Sequence, residues 1–219
     1  MRTFVIGDIH AQYKALIGCL KACSFDYETD RLIALGDVCD RGGMTRECID
    51  ELLKIKNCIY ILGNHDAWAL DWATLGKINQ TWIEQGGERT ILSYGAAKMA
   101  KEHVEFLSHA RLWFEEGDRL FVHGGFLPGT PLDKTPKDIF IWDRSLLEKA
   151  IAMNEESPFF RLGGYDEVFL GHTPLLFIGK HQPQKFCNIW AMDTGAGYGR
   201  MLSIMDVETK QFWQTKVGE

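Results

Sequence analysis

The sequence predicts an α/β fold. Short runs of apolar, β-branched or aromatic residues recur at Thr3 to Ile6, Leu32 to Leu35, Ile59 to Leu62, Leu120 to Val122, Val168 to Leu170 and Ile189 to Met192. Such short continuous runs read as strands buried on both faces. Between the first two, Leu16, Cys19, Leu20 and Cys23 recur at helical spacing, and Thr45 to Ile55 carries a second amphipathic pattern. The resulting order, β-α-β-α-β, belongs to the α/β class.

From Ala67 to Glu116 the chain lacks a clear strand. Trp68, Trp72, Trp82 and the stretch Lys98 to Trp113 suggest helices joined around the Gly86-Gly87 break. This segment, about 67–116, reads as a helical insertion in a single domain spanning 1–219. Two further strand-like runs, Met201 to Met205 and Gln211 to Trp213, flank polar Glu208-Thr209-Lys210 as a hairpin would, and are expected to complete a sheet. No repeat, low-complexity tract or Pro/Gly/Ser-rich linker interrupts this pattern.

With 219 residues, 46% hydrophobic and 25% charged, the chain is long enough to bury a sizeable core. A net charge of -6 supplies no overall basic field for a phosphate backbone, so nucleic acid is disfavoured as a partner. Six cysteines without a CxxC pair or the dense spacing of a secreted scaffold suit reduced thiols and a cytoplasmic location. Cys39, between Asp37 and Asp40, is the one candidate for oxidation. The N-terminus lacks the apolar stretch and cleavage site of a signal peptide. No apolar run approaches the roughly 20 residues that span a bilayer, so a soluble protein with no membrane partner is expected.

The residues just past each strand carry the chemistry: Gly7-Asp8-Ile9-His10, Gly36-Asp37 with Asp40-Arg41-Gly42, Gly63-Asn64-His65-Asp66, His123-Gly124-Gly125 and Gly171-His172-Thr173. In open α/β sheets ligands bind beyond the carboxyl ends of the strands, so these side chains can converge. Convergence would gather the carboxylates of Asp8 and Asp37, the imidazoles of His10, His123 and His172, and the amide oxygen of Asn64. That set exceeds the needs of one ion. Asp37, from the central loop, is the natural bridge between two cations about 3.5 to 4 Å apart. Imidazole and carboxylate ligands without thiolate suit first-row metals; manganese is the expected occupant, with iron or zinc as alternatives. Singly, each of these residues equally suits a turn or a satisfied polar position. His103, His109 and His181 fall outside the blocks and read as surface or helix residues.

In this order the blocks resemble the calcineurin-like metallophosphoesterases, and Asp40-Arg41-Gly42 narrows the resemblance to the phosphoprotein phosphatase branch, in particular bacterial serine/threonine phosphatases. The resemblance runs from Gly7 to Asp193. It departs at Ala11, where glycine is usual, and at Asp66, where glutamate is commoner; neither removes a ligand. It implies an αββα sandwich of two mixed β-sheets flanked by helices, with metals at one edge. Arg41, and more loosely Arg144 in Ile141-Trp142-Asp143-Arg144, correspond to phosphate-binding arginines, with Asn64 beside them.

The resulting expectation is a metal-dependent phosphomonoesterase in which a metal-activated water attacks the phosphorus of a phosphorylated protein or small phosphate ester. His65, backed by Asp40, would protonate the leaving group. A dinucleoside tetraphosphate hydrolase shares the same blocks and remains open. So does a non-catalytic scaffold, whose usual mark, missing ligands, is absent. Substrate choice is expected to lie in 67–116 and 126–163, and Trp142 is a candidate for the wall of the cleft.

Overall fold

The computed structural model describes residues 1–218 of the chain. In chain order the first half contains β1 (Thr3–Ile6), α1 (Tyr13–Ala22), β2 (Arg31–Ala34), α2 (Thr45–Leu52), β3 (Asn57–Tyr60) and α3 (Asn64–Leu75). Helices α4 (Gln80–Trp82), α5 (Glu88–Ser93) and α6 (Lys101–Ser108) come next, with a kink at Gly86 in the turn Ile83–Gly87 that joins α4 to α5. The second half contains β4 (Trp113–Glu116), β5 (Arg119–Val122), α7 (Lys137–Trp142), α8 (Ser145–Asn154), β6 (Glu167–Leu170), β7 (Gln184–Phe186), β8 (Ile189–Ala191), β9 (Met201–Asp206) and β10 (Phe212–Lys216).

The strands form two five-stranded mixed sheets, ordered β10-β9-β1-β2-β3 and β4-β5-β6-β8-β7. β1, β2 and β3 run parallel, as do β5, β6 and β8, while the outer strands pair antiparallel. Period-two alternation explains why the inner strands carry no polar face. Val5, Ile33, Phe121 and Phe169 point between the sheets, joined there by Leu35, Ile61, Met192 and Met205. Their strand neighbours Phe4, Ile6, Leu32 and Ala34 turn outward onto a second core shared with α1, α2, α3 and α6. Leu120, Val122, Val168 and Leu170 face a third, which α7 and α8 complete. Phe121 and Phe169 stack at 4.8 Å across the centre. The αββα architecture implied by the resemblance is the one observed.

Besides shifts of a few residues at several element ends, the strands differ from expectation as follows. Helices occupy much of 67–116, but its last residues, Trp113–Glu116, form β4, an edge strand pairing antiparallel with β5. The run Trp-Phe-Glu-Glu lacks clean alternation because an edge strand is only partly covered. β7 is a second unanticipated edge strand. β3 begins at Asn57, and Ile61 contributes only an isolated bridge to Arg111. The C-terminal hairpin β9-β10 completes the first sheet as expected. Among the described residues, no helix is long and apolar enough to cross a membrane.

Candidate active site

The six parallel strands all end at one edge of the sandwich, so the blocks that succeed them meet there. Asp8 and His10 leave β1, Asp37 to Arg41 leave β2, and Asn64 and His65 occupy the first turn of α3 after β3. His123 comes directly after β5 and His172 after β6. All of these except Arg41 are buried. Close approach is built into the glycines here: a Cβ on Gly63 would overlap the Asp37 carboxylate.

Two groups of ligand atoms result, His10-Asp37-His65 and Asp37-His123-His172, each with its atoms within 4.8 Å of one another. Asp37 is common to both. Asp8 belongs to neither group; both its oxygens accept the backbone N–H of His172, at 3.0 and 3.1 Å. Asn64 Oδ1 stands 3.1 Å from His123 Nε2. The outer ring nitrogens are committed elsewhere: His10 Nδ1 to the carbonyl of Cys39 at 3.0 Å, His123 Nδ1 to that of Leu35 at 2.7 Å. These bonds fix each tautomer and leave both Nε2 atoms facing Asp37, at 3.8 and 3.4 Å. His65 differs, because its Nδ1 meets a carboxylate, Asp40 Oδ2, at 2.7 Å.

Electrostatics test whether cations fit this set. Burial pushes the Asp8 carboxyl well above its ordinary value, and the neighbouring Asp193 pushes it further. Asp193 itself rises to about 6 through burial, eased by the Gly195 N–H and raised again by Asp37. Asp37 is pushed up by burial, but the adjacent His123 and His65 outweigh this and hold it well below the usual range. Burial and His65 lower His10 to about 3. Burial lowers His123 too, yet Asp37 and Asp8 overcome it and raise the group to about 10. Among the described residues no Lys or Arg pairs with Asp8 or Asp37. Crowded, buried carboxylates beside the inward Nε2 atoms of His10 and His123, with no lysine or arginine paired to them, are a donor set that fits divalent cations.

Backbone strain is concentrated in the same place. Six of the ten non-glycine residues with positive φ among those described, His10, Ala11, Asp37, Asp40, Arg41 and His172, belong to these blocks. Such conformations persist only where the surroundings enforce them. Ala11, at φ 55°, occupies a left-handed position that accounts for the glycine usual there. The enforcing group for the Asp37 loop is Asp66, fully buried, which accepts N–H bonds from Asp37, Val38 and Cys39 at 2.8, 3.0 and 3.2 Å.

Arg41 and Arg144 both line the pocket over this cluster, with Gln85, Pro174, Asp193 and Tyr198. The Arg41 guanidinium lies over the Tyr198 ring, 4.4 Å from its centroid. Arg144 is exposed at the start of α8. Trp142 does not line this pocket; it packs behind it, 4.9 Å from Trp68 and 6.0 Å from His172. Cys39 is buried, and burial with Asp66 pushes its thiol well above the ordinary range, which disfavours the thiolate that oxidation requires. His103 lies on α6 but is no surface residue: it is buried between Tyr94 and Asp50.

Asp193, Gln85 and Tyr198 were not anticipated from the sequence. Asp193 was findable, since it comes directly after the Ile189 to Met192 run just as the other site residues come after theirs. Gln85 and Tyr198 carry no such signal.

Serine/threonine-protein phosphatase 1 of Salmonella typhimurium (strain LT2) is 27% identical over 214 residues, covering 94% of this chain and 91% of that protein. A symmetrical bis(5'-nucleosyl)-tetraphosphatase of Dechloromonas aromatica (strain RCB) is 32% identical over 130 residues, 58% of this chain and 45% of that protein, so the chain matches less than half of that relative's length. A solved structure of a candidate diadenosine tetraphosphatase superposes with a TM-score of 0.73 at 19% identity, covering 98% of this chain and 93% of the other, a likeness of fold. The family model described as calcineurin-like phosphoesterase matches residues 1–197, and the chain belongs to that family.

Proposed function

We propose that this protein is a metal-dependent phosphomonoesterase that acts on phosphoserine and phosphothreonine. The observation that carries the chemistry is the pairing of His65 Nδ1 with Asp40 at 2.7 Å where two clusters of candidate metal-binding atoms share Asp37, His65 lying at the edge of one of them with its Nδ1 already committed to the carboxylate. Asp8, His10, Asp37, Asn64, His123 and His172 would hold two divalent cations, manganese first, which when bound supply an activated water and counter-charge for the phosphoryl oxygens.

The chain's own groups do the rest. Arg41, its guanidinium seated on Tyr198, and Arg144 across the pocket grip phosphoryl oxygens as planar donors. Asn64 offers its amide at the same point. His65 donates a proton from Nε2 to the departing alkoxide, while Asp40 holds Nδ1–H and stabilises the imidazolium until it is neutralised.

The choice of phosphoprotein over dinucleoside polyphosphate rests on extent: the phosphatase relative aligns along almost its whole length, the tetraphosphatase along less than half of its own. Assaying a phosphoserine peptide and diadenosine tetraphosphate side by side with added manganese tests it. Preferential release of phosphate from the peptide, abolished by chelation, is the expected result. Preferential cleavage of the dinucleotide refutes the substrate assignment, and full turnover with a demonstrably empty site refutes the metal assignment.

A further inference from the structure

Every hydrogen bond to the Asp40 carboxylate, apart from that to His65, comes from the helical segment after α3. Asp40 is fully buried and sits at φ 71°, a strained conformation for a residue with a side chain. Thr90, on α5, donates its hydroxyl to Asp40 Oδ1 at 2.6 Å and accepts the Asp40 backbone N–H at 2.9 Å, closing a ring around the residue. The Trp82 indole N–H donates to Asp40 Oδ2 at 2.8 Å, the same oxygen that meets His65. Trp82 and Thr90 are themselves fully buried. Thr90 has one proton, and Asp40 takes it; the 3.2 Å contact with Thr45 is then a donation from Thr45. The network has one consistent assignment.

The path of the backbone serves the same contacts. The chain kinks at Gly86, whose φ of 101° is non-helical, and a Cβ there would come 2.6 Å from the Arg41 backbone nitrogen. A Cβ on Gly87 would overlap the Trp82 indole. The Gly86-Gly87 pair therefore lets the segment lie directly on residues 40 and 41 with Trp82 turned inward.

Given the phosphoesterase reading of this site, we infer that Trp82 and Thr90 are positioning residues for leaving-group protonation. They act through Asp40, not on substrate. With both oxygens engaged, the carboxylate has one orientation in which to receive His65 Nδ1–H, which fixes the tautomer and aims Nε2 at the pocket. A segment expected from the sequence to select substrate is thereby built into the catalytic step.

The effect is specific to substrates that need a proton. In manganese-loaded protein, Trp82→Phe and Thr90→Val should each lower kcat on an alkyl phosphate about tenfold, part of the 10²- to 10⁴-fold that protonation typically supplies. On an activated aryl phosphate the loss should stay under about threefold, with KM changed less than about twofold for both esters. Thr90→Ser, which keeps the hydroxyl, should restore the alkyl rate. In metal-free protein the His65 Nδ1–H proton resonance, identified by its loss in His65→Gln, should shift in Trp82→Phe and Thr90→Val and return in Thr90→Ser. If Trp82→Phe does not fold, the Thr90 pair decides alone. Equal losses on both esters, or no rescue by serine, overturn the inference. A His65→Gln enzyme that discriminates between the esters while Thr90→Val does not overturns it and leaves the phosphoesterase reading standing. Wild-type protein that hydrolyses neither ester overturns that reading instead, and the resonance then decides whether Trp82 and Thr90 hold the Asp40–His65 pair.

Discussion

Replacing Asp66 by asparagine removes one oxygen from the most heavily bonded carboxylate among the described residues without changing its size. Oδ1 accepts the N–H groups of Val38 and Cys39, and Oδ2 those of Asp37 and Gly63 together with the Tyr60 hydroxyl at 2.8 Å. Whichever way the amide is turned, its NH2 faces at least two donors with nothing to accept them. Turned toward Val38 and Cys39, it loses two bonds to a charged acceptor, worth about 1.5 to 3 kcal/mol each. The neutral amide avoids the cost of burying a charge, a cost visible in the raised pKa of Asp66, which burial and then Asp37 push up. The net destabilisation should be about 2 to 4 kcal/mol, lowering Tm by roughly 5 to 15 °C at this chain length. Urea unfolding at pH 7 in the presence of chelator measures it without contributions from bound metal. A loss below about 1 kcal/mol at unchanged m-value would refute the account of how the Asp37 loop is held.

Three further outcomes are expected. Asp37→Asn should lower the metal content of folded protein at both positions, because Asp37 is the member common to the two ligand groups; two retained ions by elemental analysis would remove it from the bridging role. Arg41→Ala should cost about 10²- to 10³-fold in kcat/KM, and Arg144→Ala less, since Arg144 is exposed to solvent that screens its charge; the reverse order would contradict the assignment of these donors. Asp30 is pushed up by burial, but its bonds to Arg2 and to the N–H of Asp26 outweigh this and lower it. A depressed carboxyl contributes stability that is present above its unfolded value of about 4 and lost as pH falls through the folded value. The gap in urea midpoint between wild type and Asp30→Asn should therefore be full at pH 7 and close below about pH 4; a constant gap would exclude the ionic contribution.

The parts of the fold visible in the sequence are those where one constraint dominates. Inner strands such as β2 and β6 are covered on both faces, so after the charged residue that opens each (Arg31, Glu167) every residue is apolar whichever way it points, and the run stands out. Edge strands lose that signature: β4 ends in two exposed glutamates, and β7 is three residues long. The Gly86-Gly87 break was legible, but as a joint between helices. Its work in letting the chain press on Arg41 depends on an approach from a distant segment, which local pattern does not encode.

The site divides along the same line. Residues gathered by the common edge of parallel strands, Asp8, His10, Asp37, Asn64, His65, His123 and His172, are found by looking just past the carboxyl end of each strand, because topology alone brings them together. Residues that hold them are not. Asp66 comes after His65 in an obvious motif, yet its task is to bind main-chain N–H groups nearly thirty positions earlier. Trp82 and Thr90 sit among other tryptophans and threonines on helices, and nothing local distinguishes the indole that donates to Asp40 from those that only fill the core. The candidate ligands lie where strands end; the residues that hold them in place come from any element that packs nearby. The first group is therefore written in order along the chain, and the second becomes visible only when the chain is folded.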